Sequence, residues 1–287
     1  MITWKQSLPG FEWLIHQVWY LELGHDDKLD KLPRLIPNPR AHLLFTPRDQ
    51  QYCYQNGHQP FIGRGSHLLT ISDELLVLED TPPLKRIGIT FRPEGLYLLH
   101  QKSIGKINQC EWFDWLETLF DAKFQDSLWQ CTSQLQLIDI LLQHFAQLEL
   151  KPKDKAFNMV QAITLGVEAS QQQSFAPDKL IKGELNTDME IEQLAQHCAC
   201  SRRTLERAFK QVMGLSVKKY QQMMKLEHMI LALYAQDQEF DWTSFSQRFG
   251  FYDQSHLIRE LKKQLDCTPS GYLQQRDLTI DIYGDFE

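Results

Sequence analysis

The sequence predicts an α+β chain. A β-rich N-terminal domain, a partial barrel or sandwich with a helical segment after it, precedes an all-α domain built from two helix-turn-helix units. Three observations carry this reading. Seven of the twelve prolines (Pro33, Pro37, Pro39, Pro47, Pro60, Pro82, Pro83) fall between residues 30 and 85, a density that suits strands joined by turns and works against long helices. Beyond Gly95 the apolar residues change to helical spacing. Residues 188–276 then repeat themselves at an offset of 51 to 52 positions.

The early strands are read from short apolar runs bounded by Pro, Gly, Asn and Asp. Examples are Ala41-His42-Leu43-Leu44-Phe45 and Glu74-Leu75-Leu76-Val77-Leu78. Ile87-Gly88-Ile89-Thr90-Phe91 alternates and stops at Arg92-Pro93. Helical spacing follows in Trp112, Trp115, Leu116, Leu119 and Phe120, then in Leu135, Ile138, Leu141, Leu142 and Phe145. A third helix is expected from Asp154 to Leu165, stopped by Gly166, with Ala169-Ser170-Gln171-Gln172-Gln173-Ser174 and Ala176-Pro177 as a surface connector. The expected organisation is residues 1–166 (β-rich 1–95, helical 96–166), a linker at 167–186, the double unit at 187–276 and an acidic tail at 277–287.

The repeat sets Leu194-Ala195-Gln196 beside Phe245-Ser246-Gln247, an offset of 51. Leu205, Phe209, Lys210, Ser216 and Tyr220 then stand beside Leu257, Leu261, Lys262, Thr268 and Tyr272, an offset of 52. One residue has been added in the second turn. Small Ala195 and Ser246 suit a helix that another must approach closely, and turns follow at Ala199-Cys200-Ser201 and Gly250-Phe251-Tyr252-Asp253. Ser201 and Asp253 are expected to cap the next helix through their side-chain oxygens, and Thr187-Asp188-Met189-Glu190 fits a capping box. A long helix from about Val217 to Ala235 would join the units.

Whole-chain properties bound the function. With 287 residues and 43% hydrophobic content the chain can build two cores, and no stretch reaches the ~18–20 apolar residues of a membrane span. Met1-Ile2-Thr3-Trp4-Lys5-Gln6 lacks a secretory pattern, and six scattered cysteines suit buried thiols, so a cytoplasmic protein without membrane contact is expected. The one close pair, Cys198 and Cys200, lacks zinc spacing. A net charge of −7 argues against a polyanionic partner. The charge is uneven, however, since residues 185–276 carry 12 Lys and Arg against 11 Asp and Glu. Charge alone would favour a helical protein–protein module with solvated faces. The duplicated order of small residue, turn, cap and basic face favours a double-stranded DNA reader.

Ser201-Arg202-Arg203-Thr204-Leu205-Glu206-Arg207-Ala208-Phe209-Lys210, then Gly214-Leu215-Ser216 and Tyr220, resembles the first unit of AraC/XylS transcriptional regulators. Gly250-Phe251-Tyr252-Asp253-Gln254-Ser255-His256-Leu257-Ile258-Arg259-Glu260-Leu261-Lys262, then Thr268-Pro269 and Tyr272, resembles that family's second signature. The resemblance covers about 90 residues; Leu257 and Leu261 replace the usual Phe, and Asp266 a frequent Gly. It implies a transcription regulator reading two adjacent major-groove segments about 34 Å apart. Arg203, Glu206, Arg207, Gln254, Ser255, His256 and Arg259 would face base edges. Lys210, Lys219, Lys225, Lys262 and Lys263 would hold phosphates. RNA polymerase is an implied partner.

The N-terminal region, through Pro37 to Phe45, Phe61-Ile62-Gly63 and Ile87 to Gly95, resembles the β-rich domain of one uncharacterised subgroup. A sensor role would place a small-molecule effector near His42, Arg64, Phe91 and Arg92, although these residues equally suit packing and surface positions. Dimerisation would use the apolar face of the helix from Leu135 to Phe145. His42, His58, His67 and His100 are too dispersed for a metal site, and no nucleophile elbow or phosphate loop is present. Neither catalysis nor a cofactor is expected.

Overall fold

The computed structural model describes residues 1–27, 32–57, 60–79, 81–100, 102–103, 105–150, 153–174, 189–234, 241–266, 268 and 271. Among the described residues nine strands come first: β1 (Ile2–Gln6), β2 (Ile15–Leu23), β3 (Arg34–Leu35), β4 (His42–Phe45), β5 (Gln51–Gln55), β6 (Phe61–Arg64), β7 (His67–Leu69), β8 (Leu76–Leu78) and β9 (Leu84–Phe91). Helix α1 (Gly95–His100), strand β10 (Cys110–Glu111) and helices α2 (Asp114–Leu119), α3 (Ala122–Trp129), α4 (Gln134–Gln147) and α5 (Lys155–Ser174) follow. The last part holds α6 (Ile191–His197), α7 (Arg202–Met213), α8 (Val217–Tyr234), α9 (Trp242–Arg248) and α10 (Gln254–Leu265).

The strands form a sandwich of two antiparallel sheets, ordered β1-β2-β9-β4-β7-β10 and β3-β8-β5-β6. The larger sheet is a middle layer. Side chains alternate along a strand, and here both faces find apolar partners. On β9, Ile87, Ile89 and Phe91 enter the core shared with the helices, whereas Leu84 enters the core between the sheets. On β4, Leu43 and Phe45 divide from Leu44 in the same way. Double-sided burial explains why these strands read as apolar runs.

Three expectations are corrected. Helix α5 does not stop at Gly166 but runs on to Ser174. Val160, Ile163, Thr164 and Val167 are buried at helical spacing, and Glu168 one position later is gripped by two arginines. Packing of that order overrides the ~1 kcal/mol that a mid-helix glycine costs. The segment expected to be helical from residue 96 contains β10, which pairs with β7 through Cys110↔Leu69. The apolar face of α4 is not free for a second protomer. Leu137, Ile138, Leu141 and Phe145 are buried within the chain, with the Phe145 ring 5.8 Å from that of Phe11. Leu135 alone stays exposed.

The boundary near residue 166 is not a boundary in packing. One continuous core runs from Phe91 and Leu96 through Phe157 and Ile163 to Leu205, Phe209 and Tyr220. A second core joins the later part of α8 to α9 and α10 and takes in Ile36. Helix α8 therefore serves both units, giving Val217, Tyr220 and Met224 to the first core and Leu226, Ile230 and Leu233 to the second.

Candidate nucleic-acid interface

The turns of the two C-terminal units carry the same pair of hydrogen bonds. After α6, the Ala199 N–H reaches Gln196 O at 2.9 Å and the Cys200 N–H reaches Ala195 O at 2.9 Å. After α9, 51 residues on, Gly250 N–H reaches Gln247 O at 3.1 Å and Phe251 N–H reaches Ser246 O at 2.9 Å. Residues Ala199 and Gly250 take left-handed backbone angles, φ 49° and 69°. Only glycine does this without penalty, so Ala199 costs on the order of 1 kcal/mol. Ala195 and Ser246 are buried where small residues were expected.

The caps repeat at an offset of 52. Ser201 Oγ accepts from the Thr204 N–H at 3.2 Å, and Asp253 Oδ1 accepts from the His256 N–H at 2.7 Å. Each satisfies an amide with no intrahelical partner. Both helices end on a left-handed residue, Gly214 at φ 73° and Asp266 at φ 52°. Asp266 thus keeps the turn that glycine would make. Of the expected box at the start of α6, Thr187 and Asp188 lie outside the described residues. The bond found is three positions later, from the Glu190 N–H to Gln193 Oε1 at 3.2 Å.

The outward faces carry the expected side chains. Arg203, Arg207 and Lys210 on α7 are exposed, as are Gln254, Ser255, His256, Arg259, Lys262 and Lys263 on α10. Behind them Leu205, Ala208, Phe209 and Val212 on α7, and Leu257, Leu261 and Leu265 on α10, are buried. Several polar groups also serve the fold. The half-buried Glu206 carboxylate accepts from the Val217 N–H at 3.2 Å, bracing the start of α8, and Lys210 Nζ donates to Gly214 O at 2.8 Å. Lys219 pairs with Asp73 of the β-rich half at 2.8 Å, and Lys225 lies 5.2 Å from the centre of the Phe251 ring. Lys263 and Lys219 line a cleft of about 640 Å³ between the halves, together with Asp73, Glu74, Glu260 and Asp266.

The four residues considered for an effector do not share one site. His42 is buried with Nδ1 3.1 Å from Thr90 Oγ1, and Phe91 is wholly buried in the core. Arg92 pairs with Glu168 on α5. Arg64 is exposed on β6, in the other sheet. Strand identity placed them near one another, but alternation and sheet assignment send them apart. Among the described residues no group of three or more His, Cys, Asp or Glu could hold a metal ion.

One polar cluster was missed by sequence reasoning because its members are far apart along the chain. Arg40, before β4, is buried and donates to Glu227 on α8 at 2.8 Å and to Glu168 on α5 at 3.2 Å. Glu94 beside Arg92 accepts from the Thr164 hydroxyl at 3.0 Å, and burial pushes its carboxyl upward. Tyr220 is buried near the same carboxylates, and desolvation holds its phenol well above the usual range. This junction ties sheet, α5 and α8 together. Tyr97 adds a smaller tie, donating to Asp154 at 2.6 Å and accepting from Gln211 on α7 at 2.8 Å.

Residues 194–275 match a family model described as "Helix-turn-helix domain". No curated protein matches the chain. Among solved structures it is similar to ToxT from Vibrio cholerae O395 at 10% identity and a TM-score of 0.43, over 95% of this chain and 97% of that one. Unsaturated fatty acid-bound ToxT from Vibrio cholerae strain SCE256 gives 10% identity and 0.42, over 89% and 93%. The CO-dependent transcription factor CooA from Carboxydothermus hydrogenoformans gives 13% and 0.17, over 71% and 85%.

Proposed function

From the AraC-type helix-turn-helix domain that residues 194–275 form, we propose that this protein is a sequence-specific, non-catalytic transcription regulator whose α7 and α10 enter two neighbouring segments of major groove. The carrying observation is the pair of helices capped alike at their N-termini, each with a buried apolar stripe and an exposed polar face. Arg203, Arg207 and Arg259 suit guanine edges, Gln254 suits adenine, and Ser255 and His256 supply adaptable partners. Lys210, Lys262 and Lys263 suit phosphates. Glu206 is already engaged at the start of α8. Helix α8, with 18 residues, is about 27 Å long, close to the ~34 Å rise of one DNA turn.

The same reading takes the cytoplasm as the working compartment and RNA polymerase as the partner that a regulator of this type addresses. The β-rich half is the control module, and a small-molecule effector would act on the DNA readers through the contacts of α8. Among the described residues no helix is long and apolar enough to cross a membrane.

Titrating labelled duplexes at several salt concentrations tests the reading. Arg259→Ala should relax base preference at one position by about 1–3 kcal/mol, whereas Lys262→Ala should weaken every duplex alike and reduce the salt slope by about 1. If neither change alters binding to any duplex, the contact assignment fails. A chain that binds no duplex at all is instead a protein–protein module.

A further inference from the structure

We propose that Tyr252 is a DNA-backbone contact that the second unit adds to the first, its phenol O–H donating to a phosphate oxygen beside the groove that α10 enters. This rests on the DNA-binding reading above and extends it to a residue the resemblance leaves without a role. Tyr252 is the added residue that changes the repeat offset from 51 to 52. In the first unit, Cys200 passes directly into the cap Ser201. In the second, Phe251 and the cap Asp253 have Tyr252 between them.

Both neighbours are pinned, so the tyrosine is presented rather than loose. The Phe251 N–H is held by Ser246 O at 2.9 Å. Its ring meets the His256 ring edge-on at 5.3 Å, with Lys225 Nζ 5.2 Å from its centre. On the other side, Asp253 caps α10 through the His256 amide. Between these anchors Tyr252 is 92% exposed, the highest value among the exposed large hydrophobic side chains of the described residues. A ring so exposed contributes nothing to the core. Its place is one residue before the cap of the helix whose N-terminal residues approach base edges in this motif. A side chain there lies over the sugar–phosphate ridge, where tyrosine hydroxyls are regular donors. The phenol is neutral, so the contact positions the helix without releasing a counterion, unlike a lysine contact.

Tyr252→Phe and Tyr252→Ala in the full chain, titrated against a selected duplex and a scrambled one across a salt series, provide the test. The Phe variant should bind both duplexes about ten-fold more weakly, as for loss of one hydrogen bond to a charged group. The Ala variant should lose at least as much, with the salt slope of both unchanged and the melting temperature that of the wild type. A methylphosphonate at the contacted position should weaken the wild type and leave Tyr252→Phe unaffected. Loss confined to the selected duplex would show a base contact and overturn the assignment. Variants that match a DNA-binding wild type overturn this contact alone, whereas a wild type that binds no duplex overturns the DNA-binding reading and the contact with it.

Discussion

Arg40→Met lowers stability by about 3–5 kcal/mol, the range seen when one partner of a buried ion pair is removed. Arg40 is 3% exposed and donates to both Glu227 and Glu168, which are themselves largely buried. Methionine approximates the stem of the arginine, so little cavity is left. What remains is a pair of carboxylates facing each other's charge in low dielectric, with Arg92 as the neighbouring cation. Urea unfolding reads the loss as a lower midpoint. The pairing of Arg40→Met with Glu227→Gln removes much of the uncompensated charge and should recover more than half of it. A loss below about 1 kcal/mol for the single variant would show that the junction is solvated and not a buried anchor.

Gly88→Ala should cost about 3 kcal/mol, at the upper end for overpacking a core. Gly88 lies at the centre of β9, directly across from Trp19 on β2. A Cβ at residue 88 would stand 1.9 Å from Trp19 Cε2, well inside van der Waals contact, and Trp19 is completely buried between the sheets. The indole has no vacant direction, since Leu44, Tyr54 and Leu69 belong to the same core. The melting temperature should fall by roughly 6–12 °C, given about 2–4 °C per kcal/mol for a chain of this size. A fall of less than 2 °C would mean that the sheets shift to admit the methyl group.

Local chemistry was legible in the sequence and long-range pairing was not. The offset of 51, then 52, located two turns and two caps, because each depends on residues within a few positions of one another. Strands β4 and β9 were legible from apolar runs and the stop at Arg92-Pro93. Their assignment to a middle layer was not, because burial on both faces needs the second sheet and the helices together. Gly166 misled because propensity is weaker than the packing of Val160, Ile163 and Val167. Arg40, Glu168 and Glu227 carry no local signal of their pairing. The exposed face of α7 is polar, as its periodicity predicts, but Glu206 and Lys210 also bond to the fold around them. Periodicity gives the direction of a side chain and leaves its partner unnamed.

Selection of bound duplexes from a random pool, followed by titration of the enriched sequence at several salt concentrations, tests the central claim most directly. Two capped reading helices in one chain predict an asymmetric site with two enriched tracts about one helical turn apart, ~10 base pairs. One protomer should fill it, with affinity falling steeply as salt rises. A pool without enrichment, or binding indifferent to salt, would contradict the account.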